Sequence, residues 1–356
     1  MGFTDEGFGI SLFKDNKTIY DYFEETKNDF NYNNGLLEVV IKDGQLNTNN
    51  IIEYVGDTIK QFEFRPDNYE QFIGQEEAKE RALTILKKNK RGLKSHFLVD
   101  GIKGHGKTTF VKILAKQLNA HLIERIGKQL NEDSIVEIIN EINTSKEKNV
   151  VLFIDEIDTA DWKIIKLFNP IIESFEIAGK KIKPFIFAGA TINKHLLLQH
   201  NPDTLDRIPT HIKFKRYNSI EILQIIEQYI AQLYADETID TKALIMIAEN
   251  CKFNPRTAIS LLEDYIVEKN ITKVLSNCNI IKKGLTNIDI KLLTILNEST
   301  RPVGANALAM KCGLSQNEYI TEFEPYLCEY GYINRVPSRI ISIKGKELLN
   351  ELSNNN

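Results

Sequence analysis

Gly101-Ile102-Lys103-Gly104-His105-Gly106-Lys107-Thr108 stands directly after the apolar run Phe97-Leu98-Val99 and before Phe110-Val111-Lys112-Ile113-Leu114. An apolar strand, a glycine turn and a helix in that order predict a phosphate-binding loop. Gly101, Gly104 and Gly106 let the backbone bend tightly, so that successive N–H groups point inward at a polyphosphate. The following helix adds its positive N-terminal end. Lys107 is then placed to reach the β- and γ-phosphates, and Thr108 to ligand Mg²⁺. A glycine-rich turn with a chance lysine is the plainer reading, and a second motif argues against it. Val150-Val151-Leu152-Phe153-Ile154-Asp155-Glu156 reads as a buried strand ending in two carboxylates. Asp155 can hold Mg²⁺ through water and Glu156 can polarise an attacking water. The ordered pair predicts a chain that binds and hydrolyses a nucleoside triphosphate.

The composition leaves room for two or three domains in 356 residues, with 42% hydrophobic and 26% charged residues, as in ordinary globular proteins. A net charge of −4 excludes a general polycation, so any DNA contact must come from a local basic surface. The four cysteines, Cys251, Cys278, Cys312 and Cys328, lack metal-site spacing and read as reduced thiols. With no long apolar stretch and no basic, apolar leader, the expectation is a cytoplasmic protein with no membrane contact.

Residues 1–62 read as a small α+β unit of unknown role, with a strand at 36–41 and helical spacing over 49–62. From residue 63 the chain alternates between helical and strand patterns as far as 217, which predicts a parallel sheet covered by helices on both faces. Residues 218–284 read as a helical unit, every segment from Ser219 to Val274 looking helical, with a break around Lys282-Lys283-Gly284. The stretch 285–356 reads as helices, one of them spanning 315–330, followed by two β-like segments around Pro337-Ser338. This pattern suggests a winged helix.

Further motifs carry a family resemblance. Phe64-Arg65-Pro66, Phe72-Ile73-Gly74-Gln75, Phe185 through Thr191, Leu205-Asp206-Arg207-Ile208 and Asn254-Pro255-Arg256 occur in order. Arg301-Pro302-Val303-Gly304, Phe323 through Leu327 and Gly331 through Arg339 follow them. Together these resemble RuvB, the Holliday-junction branch-migration motors of the AAA+ ATPases. The resemblance implies an AAA+ P-loop sheet, a helical lid and a C-terminal winged helix, working on ATP and Mg²⁺ as a ring, by family a hexamer. It implies that Arg65 and Ile73 border the adenine and ribose. Gly104, Gly106, Lys107, Thr108 and Thr109 would hold the phosphates, with Thr108 and Asp155 on the metal ion. Thr191 would sit where the γ-phosphate is sensed, Tyr217 in the nucleotide pocket, and Arg256 as the sensor arginine of the lid. Lys107, Asp155 and Glu156 would form the catalytic core with Arg207, which would act in trans on a neighbouring site. Plainer roles stay open: a helix-capping surface arginine for Arg207, a salt bridge within the lid for Arg256 and a packing residue for Tyr217.

Arg335 and Arg339 flank the wing turn and are the expected contacts to duplex or branched DNA, against the alternative of a solvated hairpin. Two features depart from the family. Leu205 stands where an additional arginine is common, and only Glu176 to Lys183 lie where a long partner-docking hairpin is expected. That run suits a tight turn, so no tight docking of a RuvA-like protein is expected through it. Residues 1–62, with Phe13, Tyr20, Tyr22, Phe23, Phe30 and Tyr32, are the better candidate for partner contact, against the plainer reading that these aromatics form a small core of their own. The leading expectation is an ATP-driven DNA motor. The rival is an AAA+ switch or loader that assembles on DNA or a protein client without translocating.

Overall fold

The computed structural model describes residues 64–177, 179–235 and 237–354, together with four two-residue strands upstream. Two compact units divide the chain, Met1–Arg65 and Pro66–Asn356. In the first, β1 (Tyr32–Asn33) pairs antiparallel with β2 (Leu36–Leu37), and β3 (Ile41–Lys42) with β4 (Gln45–Leu46). Leu36 and Ile41, expected in one strand, thus belong to separate pairs. The helix expected over 49–62 lies outside the described residues, as do the aromatic residues singled out there apart from Tyr32 in β1.

The second unit opens with α1 (Glu76–Lys90), β5 (Phe97–Asp100), α2 (Lys107–Gln117) and β6 (Ala120–Ile126). There follow α3 (Glu132–Thr144), β7 (Asn149–Asp155), α4 (Trp162–Ser174) and the small strands β8 (Glu176–Ile177) and β9 (Lys180–Lys181). β10 (Ile186–Thr191), α5 (Lys194–His200), α6 (Pro202–Asp206) and β11 (Thr210–Lys213) complete the alternation. Five of these strands form one parallel sheet in the order β11-β5-β10-β7-β6. Successive side chains on a strand face opposite sides. Val150, Leu152 and Ile154 of β7 therefore join α3 and α4 in one core, while Val151 and Phe153 join α1 and α2 in the other. Asn131 and Asp161 accept backbone N–H groups at the starts of α3 and α4, which fixes where those helices begin.

Helices α7 (Ser219–Leu233), α8 (Thr241–Asn250), α9 (Pro255–Glu268) and α10 (Ile271–Asn277) follow. Asn218 and Glu221 close a reciprocal capping box on α7, as their spacing predicts. A short antiparallel pair, β12 (Ile280–Lys282) and β13 (Leu285–Thr286), leads into α11 (Asn287–Glu298) and α12 (Ala305–Cys312). The single helix expected over 315–330 is broken into α13 (Gln316–Glu318), a π-helical turn at Tyr319–Phe323 and α14 (Glu324–Glu329). Pro325 has no N–H to donate, and a wider turn before it accommodates the missing bond. β14 (Ile333–Val336) and β15 (Ser338–Ile341) form the wing, and α15 (Ile343–Asn354) ends the described chain. Among the described residues no helix is long and apolar enough to cross a membrane.

His96 pins the sheet to α4. Fully buried, it accepts the Phe187 N–H at Nδ1 (2.9 Å), so Nε2 carries the proton and donates to the Ile172 carbonyl (3.1 Å). Burial pushes its pKa down to about 4. The unfolded chain takes up this proton below an ordinary histidine pKa of about 6.5, whereas the folded chain refuses it until about pH 4. Stability from this residue is therefore present above the unfolded value and falls as the pH drops through that window. Between pH 7 and pH 5 the loss is about 2 kcal/mol. In urea titrations at the two pH values, His96→Gln should lose about that much less than the parent chain.

Candidate active site

The carboxyl ends of β5, β7 and β10 lie side by side, where open parallel sheets bind ligands. Register places Thr191 beside Asp100, and Gly101 N–H donates to the Thr191 carbonyl (3.2 Å). The loop then turns through Gly104 (φ +81°) and Gly106 (φ +87°) into α2. A side chain at Gly106 would press on the Phe72 ring at 3.1 Å, and one at Gly104 would strike Asn254 at 2.5 Å. Glycine is needed at both positions by backbone angle and by space.

Lys107 begins α2 and is nearly buried. Its Nζ donates to the carbonyls of Gly101 (2.6 Å) and Ile102 (3.0 Å). Burial pulls its pKa down, while Asp155, Asp158, Asp100 and Glu156 pull it back up. The ammonium is thus folded over its own loop, next to where a polyphosphate would lie. Thr108 Oγ1 donates to Asp155 Oδ2 (2.7 Å), and Asp155 Oδ1 accepts the Glu156 N–H (2.9 Å). A hydroxyl and a carboxylate at that separation are oxygen donors suited to a hard divalent cation. Thr109 lies half-buried in the same helical turn.

Glu156 is exposed and held in the left-handed region (φ 48°), with its carbonyl accepting from Thr159 N (2.8 Å) and Oγ1 (2.7 Å). A Cβ on Gly127 would collide with that carbonyl. Gly127 therefore sets the backbone that aims Glu156, and no sequence pattern marked it. Asp158 was also missed; its Oδ1 is buried without a partner and its charge bears on Lys107. Its signal was available, as a third carboxylate two residues beyond Glu156.

Thr191 is fully buried and its Oγ1 accepts the Asn193 N–H (2.9 Å). Tyr217 is buried as well; its hydroxyl donates to the His105 carbonyl (3.3 Å), and a Cβ on Gly74 would press on its ring at 3.1 Å. Burial raises its pKa. Ile73, half-buried, precedes that glycine, and Gln75 holds Lys215 by two bonds, Nε2 to O (2.7 Å) and N to Oε1 (2.9 Å). Asn254 Nδ2 donates to the Lys103 carbonyl (2.9 Å), and Arg256 Cβ lies 3.1 Å from where a Cβ on Gly104 would stand. The start of α9 is thus laid directly on the loop. Arg207 is engaged elsewhere, by Glu173 on α4 (Nε to Oε2, 2.8 Å) and the Asp203 carbonyl (2.6 Å). Leu205 is buried in the core beside α4. Arg65 is the last residue of the first unit.

Residues 64–199 match the family model for the Holliday junction DNA helicase RuvB P-loop domain, and 282–350 match the RuvB C-terminal winged helix domain. The Holliday junction branch migration complex subunit RuvB of Thermotoga maritima is 32% identical over 320 residues, covering 82% of this chain and 93% of that protein. The chain belongs to the RuvB family. The corresponding subunit of Mycoplasma genitalium is 28% identical over 306 residues, covering 80% of this chain and 97% of its own length. The solved Thermotoga maritima RuvB branch migration motor superposes with a TM-score of 0.70 at 30% identity, over 80% of this chain and 98% of that one. Membership in RuvB makes the chain a nucleotide-binding P-loop ATPase with an AAA+ sheet and a C-terminal winged helix.

The wing needs a correction to the RuvB-like reading. Arg335 and Arg339 were expected to face DNA together, and the structure separates them. Arg339 exchanges backbone hydrogen bonds with Val303 (2.9 and 2.8 Å), so it lies between two extended segments, whereas Arg335 is on the outer strand. The Arg339 guanidinium is buried over the Tyr319 ring and grips Glu324 with two nitrogens. Arg335 stays exposed, 3.6 Å from the same carboxylate. At 176–183 the chain makes a hairpin with two residues in each strand, and Ile177 packs on the core.

Two outcomes follow from these contacts. Arg339→Ala leaves Glu324 buried without its main partner and should cost about 3–5 kcal/mol in denaturant unfolding, whereas Arg335→Ala should cost under about 1 kcal/mol. Gly127→Ala should lower kcat for ATP by about tenfold or more with KM changed by less than about threefold, because it displaces Glu156 and leaves the phosphate loop intact. Steady-state kinetics will decide it; an unchanged kcat removes Gly127 from the site.

Proposed function

We propose that this chain is an ATP-driven motor on duplex or branched DNA, acting as a ring, by family resemblance a hexamer. The observation that carries the reading is that one chain joins the Lys107–Thr108–Asp155 cluster to a winged helix, over nearly the full length of a RuvB subunit. The proposed division is 1–62, 63–217 for the AAA+ nucleotide domain, 218–284 for the lid and 285–356 for the winged helix. A switch or loader would use the same pocket, and the RuvB relatives favour the motor. We place the work in the cytoplasm.

In this reading Lys107 exchanges its contacts with Gly101 and Ile102 for the β- and γ-phosphates, and the N–H groups at Gly104, Gly106 and Thr109 complete the cradle. Thr108 and Asp155 would hold Mg²⁺, which supplies charge neutralisation along the phosphates. Glu156 orients the attacking water and takes its proton. Arg256 closes from the lid, Thr191 lines the γ-phosphate side, and Ile73, Tyr217 and Arg65 serve the base and ribose. Arg207, released from Glu173, completes the site of a neighbouring subunit. Arg335 is the proposed DNA contact, through the phosphate backbone. The short hairpin at 176–183 gives a RuvA-like protein little to grip, and residues 1–62 are the proposed partner surface.

Glu156→Gln should retain ATP binding while kcat falls about 10²–10⁴-fold. Wild-type turnover in that variant would end the assignment. Strand displacement on a branched duplex separates motor from switch: ATPase activity that rises with DNA but moves no strand defeats the motor.

A further inference from the structure

Two short segments each touch the phosphate loop with one residue and the winged helix with its neighbour. In the first, Arg216-Tyr217 links β11 to α7. The Tyr217 hydroxyl donates to the His105 carbonyl, while the nearly buried Arg216 ion-pairs with Glu329 of α14 and covers the Tyr326 ring. In the second, Lys252-Phe253-Asn254 joins α8 to α9. Asn254 donates to the Lys103 carbonyl; Lys252 Nζ meets Asp289 Oδ2 at 2.7 Å, and Phe253 stacks on Tyr330 at 5.2 Å. Arg216 Nη1 also donates to the Lys252 carbonyl (3.4 Å), tying the two segments together.

The backbone at this junction is held away from its relaxed form. Lys252 (φ 52°) and Phe253 (φ 54°) are consecutive non-glycine residues in the left-handed region, each costing about 1–2 kcal/mol. Asp289 is fully buried, with Oδ2 taken by Lys252 and by Thr286 N and Oγ1 (2.8 Å each). The carbonyls held at the other end are significant because peptide units are planar and trans. The Lys103 carbonyl shares its plane with the Gly104 N–H, and the His105 carbonyl with the Gly106 N–H. A donor that fixes either oxygen fixes the opposite N–H, one of those that must face the phosphates.

We propose that Glu329 and Asp289 are positioning residues for the nucleotide site. Through Arg216-Tyr217 and Lys252-Phe253-Asn254 they hold the Lys103–Gly104 and His105–Gly106 peptide planes, so the seating of the winged helix and the affinity of the loop are coupled. The inference rests on the nucleotide-site reading above. Coupling is reciprocal, so nucleotide in the loop also tightens the seat of the winged helix.

Glu329 is half-exposed, which makes it the better site for a test than buried Asp289. The full chain is titrated with a fluorescent ADP. Glu329→Arg should weaken binding by about fivefold or more, the lower end of ordinary coupling, and the charge exchange Arg216→Glu with Glu329→Arg should restore it to within about twofold. A merely structural effect would be worsened by the second change, not reversed. Should the arginine variant fail to fold, Glu329→Gln, which keeps the size and removes the charge, should weaken ADP binding about threefold. Wild-type ADP affinity in the folded Glu329 variants, or no recovery in the exchanged pair, overturns the proposal. If the parent chain itself fails to bind ADP, the nucleotide-site reading falls and takes this inference with it.

Discussion

The hydrogen-bond register of the parallel sheet governs where chemistry can occur in this protein. With β5 between β11 and β10, and β7 beyond β10, Asp100, Thr191 and Asp155 end their strands at the same edge. Strand N–H and C=O groups bind their neighbours in fixed steps, so no one of these ends can slip without moving the others. The Thr108–Asp155 hydrogen bond then ties the start of α2 to the end of β7 across that edge. The phosphate loop, the Thr108 and Asp155 oxygens and the Glu156 carboxylate are placed by one ladder.

Buried charge is handled in three ways. Lys107 is desolvated among carboxylates and donates to loop carbonyls, an arrangement that a polyphosphate can replace. Glu324 is held by Arg339 inside the wing, where a lone carboxylate would be strongly unfavourable. Asp289 is held by Lys252 at the junction between lid and winged helix. The first charge sits on the phosphate loop. The second fixes the wing, and the third ties the segment before α9 to α11.

Much of the fold was legible because period and punctuation are local properties. The alternation of β5, α2, β6, α3, β7, α4 and β10 could be read from apolar spacing, and Asn218-Ser219-Ile220-Glu221 announced the start of α7. The break in 315–330 was harder to see, because a single π-helical turn leaves helical segments on both sides of it; Pro325 was a local sign. Lys107, Thr108, Asp155 and Glu156 came from motifs in which neighbours in sequence are neighbours at the site. Gly127 did not, since its requirement arises from a carbonyl on another strand's loop.

By itself the sequence determined the phosphate loop, the paired carboxylates, the alternation of the central sheet and each short motif that resembles RuvB. These depend on residues within one turn or strand of each other. Tertiary structure alone decided that Arg339 is a buried partner of Glu324 while Arg335 is exposed, although both looked alike beside the wing turn. It also decided that Arg216, Tyr217, Lys252 and Asn254 converge on the loop and the winged helix from distant parts of the chain. Burial and partnership are set by what packs against a side chain, and those neighbours are supplied by folding.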